Sequence, residues 1–264
     1  MLLVADIGNT STTFGVFRDE ELVDNWRLES NKNKSEDEYG IFLKNLIEHK
    51  GFGGKLKAAI ISSVVLQLTD KFKLAIENYL KIPVLVLSTK INTGIKIDGD
   101  DPEEAGGDRI ANTCAAYYLH KTAAVVVDFG TATTFDVVTD DGRFIGGVIA
   151  PGIGISSEAL SSFTSLLPKV NISESKSVIG RNTVDNMLSG IVRGHAAMID
   201  GLIIDIEKEL NCPVITIATG GYSKLISKYL KRPFDHVNPF LTLEGLRIIY
   251  NLNKDILNTE LLSG

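Results

Sequence analysis

Two short segments with the same pattern lie 122 residues apart, at positions 6 and 128 of a 264-residue chain. In the first, the apolar run Leu2-Leu3-Val4-Ala5 stops at Asp6-Ile7-Gly8-Asn9-Thr10. In the second, Val125-Val126-Val127 stops at Asp128-Phe129-Gly130-Thr131-Ala132-Thr133. Each Asp-x-Gly turn leads into a strand rich in hydroxyl and β-branched residues, Thr12–Phe17 in one case and Thr133–Thr139 in the other. A polar turn and a third strand follow each time: Arg18-Asp19-Glu20 before Leu22–Leu28, and Asp140-Asp141-Gly142 before Phe144–Ile149. The period is too long for a solenoid and describes a domain instead. Such a chain is constrained to two similar α/β domains with a cleft between them. Its length, at roughly 150 residues per domain, agrees.

The intervening sequence supplies helices and further strands. Ser35-Glu36-Asp37-Glu38 has the form of a capping box, and Tyr39, Phe42, Leu43, Leu46 and Ile47 follow at helical spacing. Strands are predicted over Ala58–Val65, Pro83–Leu87 and Pro213–Ala218, with a helix over Asp70–Leu80. Apolar positions from Val184 to Ile206 predict one long amphipathic helix to about Glu209. A helix from Gly220-Gly221 through Tyr229 and a terminal helix over Leu243–Leu252 complete the reading.

Composition narrows the partners. Lys and Arg number 27 against 33 Asp and Glu, a net charge of −6, so no basic surplus points to nucleic acid or an anionic membrane. Cys114 and Cys212 lack CxxC spacing, which argues against a zinc site or a disulfide framework and for a reducing compartment. The four histidines form no metal-ligand pattern. The amino terminus lacks a basic start before its apolar run, and no apolar stretch approaches the roughly 18 residues needed to span a bilayer. The expectation is a cytoplasmic protein with neither nucleic-acid nor membrane partner.

Chemistry concentrates at a few positions. An Asp ending a buried strand beside a glycine turn suits nucleotide phosphate and its metal. The carboxylate of Asp6 can hold Mg²⁺ directly or through water, and Asn9, Thr10, Ser11 and Thr12 add donors. No GxxxxGK[ST] occurs, so this is not a Walker loop. Thr219-Gly220-Gly221 reads either as a flat platform for adenine or as a tight strand–helix turn. Gly146 to Gly152 reads as a bulge and a helix start. Gly106-Gly107-Asp108-Arg109 sets a carboxylate beside a guanidinium within or at the start of a helical pattern running through Ala111 and Tyr118. There Asp108 suits a general base and Arg109 a bidentate anion contact, or the two form a surface ion pair.

Taken together and in order, these five segments resemble type III pantothenate kinase, from Leu2 to about Tyr250. The resemblance implies the actin-like acetate-and-sugar-kinase superfold. That is an α/β architecture of duplicated ribonuclease-H-like domains, with mixed five-stranded sheets flanked by helices and a cleft between domains. The domains would span 1–117 and 118–264, with the terminal helix packing back on the first.

The resemblance also implies the reaction, ATP-dependent phosphorylation of pantothenate to 4'-phosphopantothenate, the first step of coenzyme A biosynthesis. By similarity Asp6, Ile7, Gly8, Asn9, Thr10, Ser11, Thr12 and Thr13 cradle ATP, with Asp6 on the Mg²⁺ side. Thr131, Gly220 and Gly221 also contact ATP. Asp108 is the catalytic base, and Gly106, Gly107, Asp108, Arg109 and Thr183 bind pantothenate. Asp128 holds a monovalent cation, K⁺ or NH₄⁺. Thr183 is alternatively, or in addition, an N-cap.

Two departures from the family pattern stand out. Gly107 replaces the usual alanine, and the acidic stretch from Asp98 to Glu104 lacks an aromatic near Gly99. The family forms homodimers with the substrate pocket at the interface, and the glycines Gly190, Gly194 and Gly201 make the 184–209 helix a candidate contact. Two other functions fit the same superfold: another small-molecule kinase, and a catalytically silent ATP-binding factor accessory to transcription.

Overall fold

The computed structural model describes residues 1–255. Its strands are β1 (Leu2–Ile7), β2 (Ser11–Arg18), β3 (Glu21–Glu29), β4 (Ala58–Ser63), β5 (Val84–Val86), β6 (Lys96–Ile97), β7 (Ala124–Phe129), β8 (Ala132–Val138), β9 (Arg143–Pro151), β10 (Ile215–Gly220) and β11 (His236–Val237). Its α-helices are α1 (Glu36–His49), α2 (Leu66–Ala75), α3 (Gly107–His120), α4 (Ile153–Ser162), α5 (Thr183–Leu188), α6 (Gly194–Leu210), α7 (Ser223–Ile226) and α8 (Leu241–Leu252). By contact the chain divides into two compact units. One holds residues 1–119, 142–144 and 241–255; the other holds 120–141 and 145–240.

In the first unit the sheet order is β3-β2-β1-β4-β5. β1 runs antiparallel to β2 and parallel to β4. Leu3, Val4 and Ala5 are fully buried because helices cover both faces of β1. Leu3, Ala5, Phe14 and Val16 pack with Tyr39 and Leu43 of α1 and with Phe72 of α2. α8 packs on β1, β2 and β4, and its Gly245 lies so close to Ala111 of α3 that any Cβ would collide with that carbonyl. Helix α1 starts at the expected capping box: Glu38 N–H donates to Ser35 Oγ (3.2 Å), and Ser35 N–H donates to Glu38 Oε2 (2.8 Å).

The second unit repeats the plan. β7 is antiparallel to β8 and parallel to β10, which is parallel to β11. The order β9-β8-β7-β10-β11 mirrors that of the first sheet. This sheet has six strands rather than the expected five, because Lys96–Ile97 pairs in parallel with Arg143–Phe144; those four residues group with the first unit. Val125, Val127 and Phe135 form its core with Ile191, Val192 and Ile199.

Several helix expectations need correcting. α2 begins at Leu66, four residues before the predicted start, on an N-cap without a side-chain hydrogen bond. α7 is one turn rather than a helix through Tyr229. The long 184–209 helix is interrupted by a π-helical turn, Ser189–Arg193, between α5 and α6. Taken as one run, Thr183–Leu210 is long and apolar enough to cross a membrane, which the sequence reading missed. Its Ile, Leu, Val, Met and Ala residues raise the mean hydropathy, although Arg193, His195 and Asp200 interrupt them. Half of its most apolar window is buried within the protein, as in a core helix.

Candidate active site

In the first unit the turn between β1 and β2 is closed by Gly8 N–H donating to the Ser11 carbonyl (3.1 Å). This leaves Asn9 and Thr10 exposed at its tip. Asp6 lies opposite Thr13 on β2 and Ser62 on β4. Paired residues on neighbouring strands share a face, so the carboxylate is flanked by two hydroxyl residues. Two residues expected to contact ATP are otherwise engaged. The Ile7 side chain is part of the core, and the Thr12 hydroxyl is buried against Ser30 Oγ at 3.0 Å. Strand alternation puts both on the face opposite Asp6 and leaves only their backbone for phosphate.

Asp108 and Arg109 stand in the first turn of α3, as the sequence predicts. Arg109 N–H donates to Asp108 Oδ1 (2.8 Å), and that oxygen folds back over Gly106, where a Cβ would lie 2.6 Å from it. Burial pushes the Asp108 carboxyl above the usual carboxylate range. The Arg109 backbone N–H and guanidinium pull it down, but less strongly. Half-buried Arg109 lays its guanidinium 5.3 Å from the Phe144 ring centre. The charge of the nearby acidic stretch is partly met: Asp98 pairs with Lys96 Nζ (2.9 Å) and Arg143 Nη1 (3.1 Å). Those partners hold its carboxyl below the ordinary range.

The second unit carries the matching turn. Gly130 N–H donates to the Ala132 carbonyl (3.0 Å), leaving only Thr131 between them. Asp128 lies opposite Thr134 and Thr219. Gly220, at a φ of 84°, packs on this carboxylate: a Cβ there would lie 2.6 Å from Asp128 Oδ1. The exposed Gly221 donates its N–H to the Phe129 carbonyl (3.2 Å). Gly152, the N-cap of α4, presses against the Thr131 carbonyl so tightly that no side chain fits. Thr183 is exposed at the first position of α5; Asn182 is the cap, accepting from Asp185 N–H at 2.9 Å.

Sequence reasoning missed Ser62, and read Thr219 only as part of the Thr219-Gly220-Gly221 turn; these are the hydroxyl residues beside the two aspartates on the parallel strands. Their only local signal is a hydroxyl near the end of a buried apolar run. Around Asp6 the donors are all hard oxygens, which suit a divalent ion such as Mg²⁺. The described residues contain no cluster of three or more His, Cys, Asp or Glu side chains. The Asp6 carboxylate beside a phosphate-type turn fits an ion that arrives with its nucleotide.

Two sheets of one strand order, each with an Asp-turn-hydroxyl hairpin, define the actin-like, acetate-and-sugar-kinase class of folds. Solved structures agree on the fold. One described as a Baf family transcriptional activator from Campylobacter jejuni has a TM-score of 0.60 at 20% identity, covering 96% of this chain and 99% of its own. A ROK hexokinase from Thermus thermophilus has a TM-score of 0.53 at 12% identity, with the same coverage. The chain belongs to the type III pantothenate kinase family, whose sequence profile matches residues 2–205. A type III pantothenate kinase from Myxococcus xanthus is 44% identical over 254 residues, 96% of this chain and 99% of that protein.

Proposed function

We infer that the protein transfers the γ-phosphoryl group of ATP to the terminal hydroxyl of pantothenate, opening coenzyme A synthesis. The observation that carries the mechanism is the Asp108 carboxylate, part-buried at the head of α3, with its proton affinity raised. As the substrate oxygen bonds to the γ-phosphorus, Asp108 takes the hydroxyl proton and the β–γ bridging bond breaks to release ADP. A loose transition state asks mainly for positioning and charge stabilisation, and a carboxylate of raised pKa serves as the proton acceptor.

Arg109, steadied against Phe144, suits bidentate contact with the pantothenate carboxylate. Gly106 and Gly107 line the substrate beside it, and Thr183 adds a hydroxyl contact. The first turn, with the Gly8 to Ser11 backbone, Asn9, Thr10 and Thr13, cradles the ATP phosphates, and Asp6 faces the metal. Bound Mg²⁺ neutralises charge on the phosphates. Thr131, Gly220 and Gly221 serve the remainder of the nucleotide, and Asp128 serves a monovalent cation, K⁺ or NH₄⁺.

The protein works as a homodimer whose partner completes the substrate pocket. The exposed apolar side chains of Ile155, Phe163 and Leu166 favour this, as does a groove between Leu160, Leu167, Met187 and Ile191. Gly190, Gly194 and Gly201 face open space along the same helical run and allow close backbone approach. Two free thiols, exposed Cys212 among them, fit a cytoplasmic setting.

The test is ADP formation from ATP with Mg²⁺ and K⁺ in the presence of pantothenate, acetate or hexose. ADP release with pantothenate alone is expected. Turnover on hexose, or nucleotide binding without turnover on any acceptor, overturns the reading.

A further inference from the structure

Val64 directly follows β4 and is 40% exposed, although the strand before it is buried along most of its length. Its N–H donates to the Ile7 carbonyl (3.2 Å), which carries the parallel β1–β4 ladder one step past Ser63. Side chains alternate along a strand, so Val64 stands on the face of Asp6 and Ser62, level with the phosphate turn. The backbone around it is held firmly. Val65 belongs to the core, and its N–H and carbonyl both bond to the Ser63 hydroxyl (3.0 and 3.1 Å). A β-branched side chain on such a backbone has little rotamer freedom. A stiff apolar group is thus presented, partly open to solvent, among the polar residues of the site.

Its neighbour there is Gly106. Val64 Cγ1 lies 3.5 Å, and Asp108 Oδ1 2.6 Å, from the point that a Gly106 Cβ would occupy. The valine methyl and the carboxylate therefore flank one bare glycine. Pantothenate carries a matching pair of groups. The carbon bearing its terminal hydroxyl adjoins a quaternary carbon with two methyl groups. An acceptor whose hydroxyl reaches Asp108 at about 2.7 Å brings that quaternary carbon beside Gly106, where a methyl meets Val64 at the contact distance of about 4 Å.

We propose that Val64 is a specificity-determining residue: it forms the apolar wall on which the paired methyl groups of the acceptor pack while Asp108 holds the hydroxyl. Gly106 leaves that wall uncovered. The contact orients the attacking oxygen and selects acceptors branched beside the reacting carbon over unbranched ones. The inference rests on pantothenate being the acceptor and Asp108 the base.

The test is a substrate–enzyme cycle on the full chain, with wild type, Val64→Ala and Val64→Thr. Each is given pantothenate or N-(2,4-dihydroxybutanoyl)-β-alanine, which keeps every polar group and lacks the two methyls. ADP formation yields kcat and KM for each acceptor, with KM for ATP and the thermal midpoint measured alongside. The wild type should favour pantothenate on the order of 100-fold in kcat/KM, since each methyl in an apolar contact is worth about 10-fold. Val64→Ala should lower kcat/KM for pantothenate about 10-fold and change that for the demethylated acceptor by less than about twofold. Val64→Thr keeps the volume but replaces one methyl by a hydroxyl, and should reduce the preference about fivefold. KM for ATP and the thermal midpoint should change little.

Equal losses on both acceptors overturn the proposal, because a merely structural role moves both alike. If Val64→Ala fails to fold, Val64→Thr decides by the same ratio. A wild type that releases no ADP with pantothenate removes the proposed function itself. An active wild type whose preference is unchanged in both variants sinks only the role of Val64.

Discussion

The two Asp-x-Gly hairpins are built on one register and differ by one residue. Asp6 pairs with Thr13 and Ser62, and Asp128 with Thr134 and Thr219. The first turn runs from Gly8 to the Ser11 carbonyl around Asn9 and Thr10; the second runs from Gly130 to the Ala132 carbonyl around Thr131 alone. The longer turn has an additional backbone N–H and two exposed polar tips, which a polyphosphate can use. The shorter turn is locked instead, with Gly152 against its carbonyl and Gly220 against its aspartate. Duplication kept the sheet, while the two turns differ in length and in what packs on them; on the proposed function, that difference assigns phosphate transfer to the first and an ion and nucleotide contact to the second.

The same substitution at the two equivalent aspartates is the hardest test of that division. Asp6→Asn should lower kcat on the order of 10³-fold, because it removes charge from the phosphoryl-transfer site. If Asp128 holds the monovalent cation as proposed, Asp128→Asn should cost on the order of 10-fold and abolish the difference between K⁺ and Na⁺ buffers. Steady-state kinetics in both salts decide; equal losses would erase the asymmetry.

Turn length comes next. Deleting Asn9 gives the first turn the length of the second, and kcat/KM for ATP should fall on the order of 10²-fold as phosphate donors are lost. Circular dichroism should be unchanged, because the pairing of Asp6 with Thr13 is compatible with the shorter turn, as Asp128 with Thr134 shows.

The smallest effect is the pH dependence of stability set by Asp108. Its carboxyl is raised by burial, so activity should fall on acidification at a pH above the ordinary aspartate range, as the base is protonated. The linked stability effect has the opposite sign to that of a salt-bridged carboxylate. Ionising a group whose folded pKa is raised destabilises the fold. Stability should therefore decline slightly as pH rises from the unfolded to the folded pKa. Asp108→Asn should lose turnover, keep the backbone contact through its amide oxygen, and flatten that slope in pH-dependent thermal melts.

The repeat, the capping box at Ser35 and the position of Asp108 were legible because each is written in neighbouring residues. What was hidden depends on distance or on weak local signals. Nothing near Leu66 marks a helix start, since Val65 offers no capping side chain and the Ser63 hydroxyl exchanges hydrogen bonds with the Val65 backbone instead. The π turn at Ser189–Arg193 has no period of its own to detect. Thr12 looks like any other phosphate donor until Ser30, eighteen residues on, claims its hydroxyl. Ser62 reads as ordinary strand until Gly107 arrives from 45 residues away.

Helix α8 has a consequence for how the protein is made. It buries Leu241, Leu243, Leu246 and Ile249 and packs on β1, the first strand of the chain. A ribosome delivers β1 long before α8, so one face of that strand must wait until α8 emerges. The second unit lies entirely between them in sequence, at 120–141 and 145–240. During synthesis, where domains fold as they emerge, it can close first, and the older half of the polypeptide matures last. A nascent chain stalled before Leu241 would hold a finished second unit and an unsealed first one.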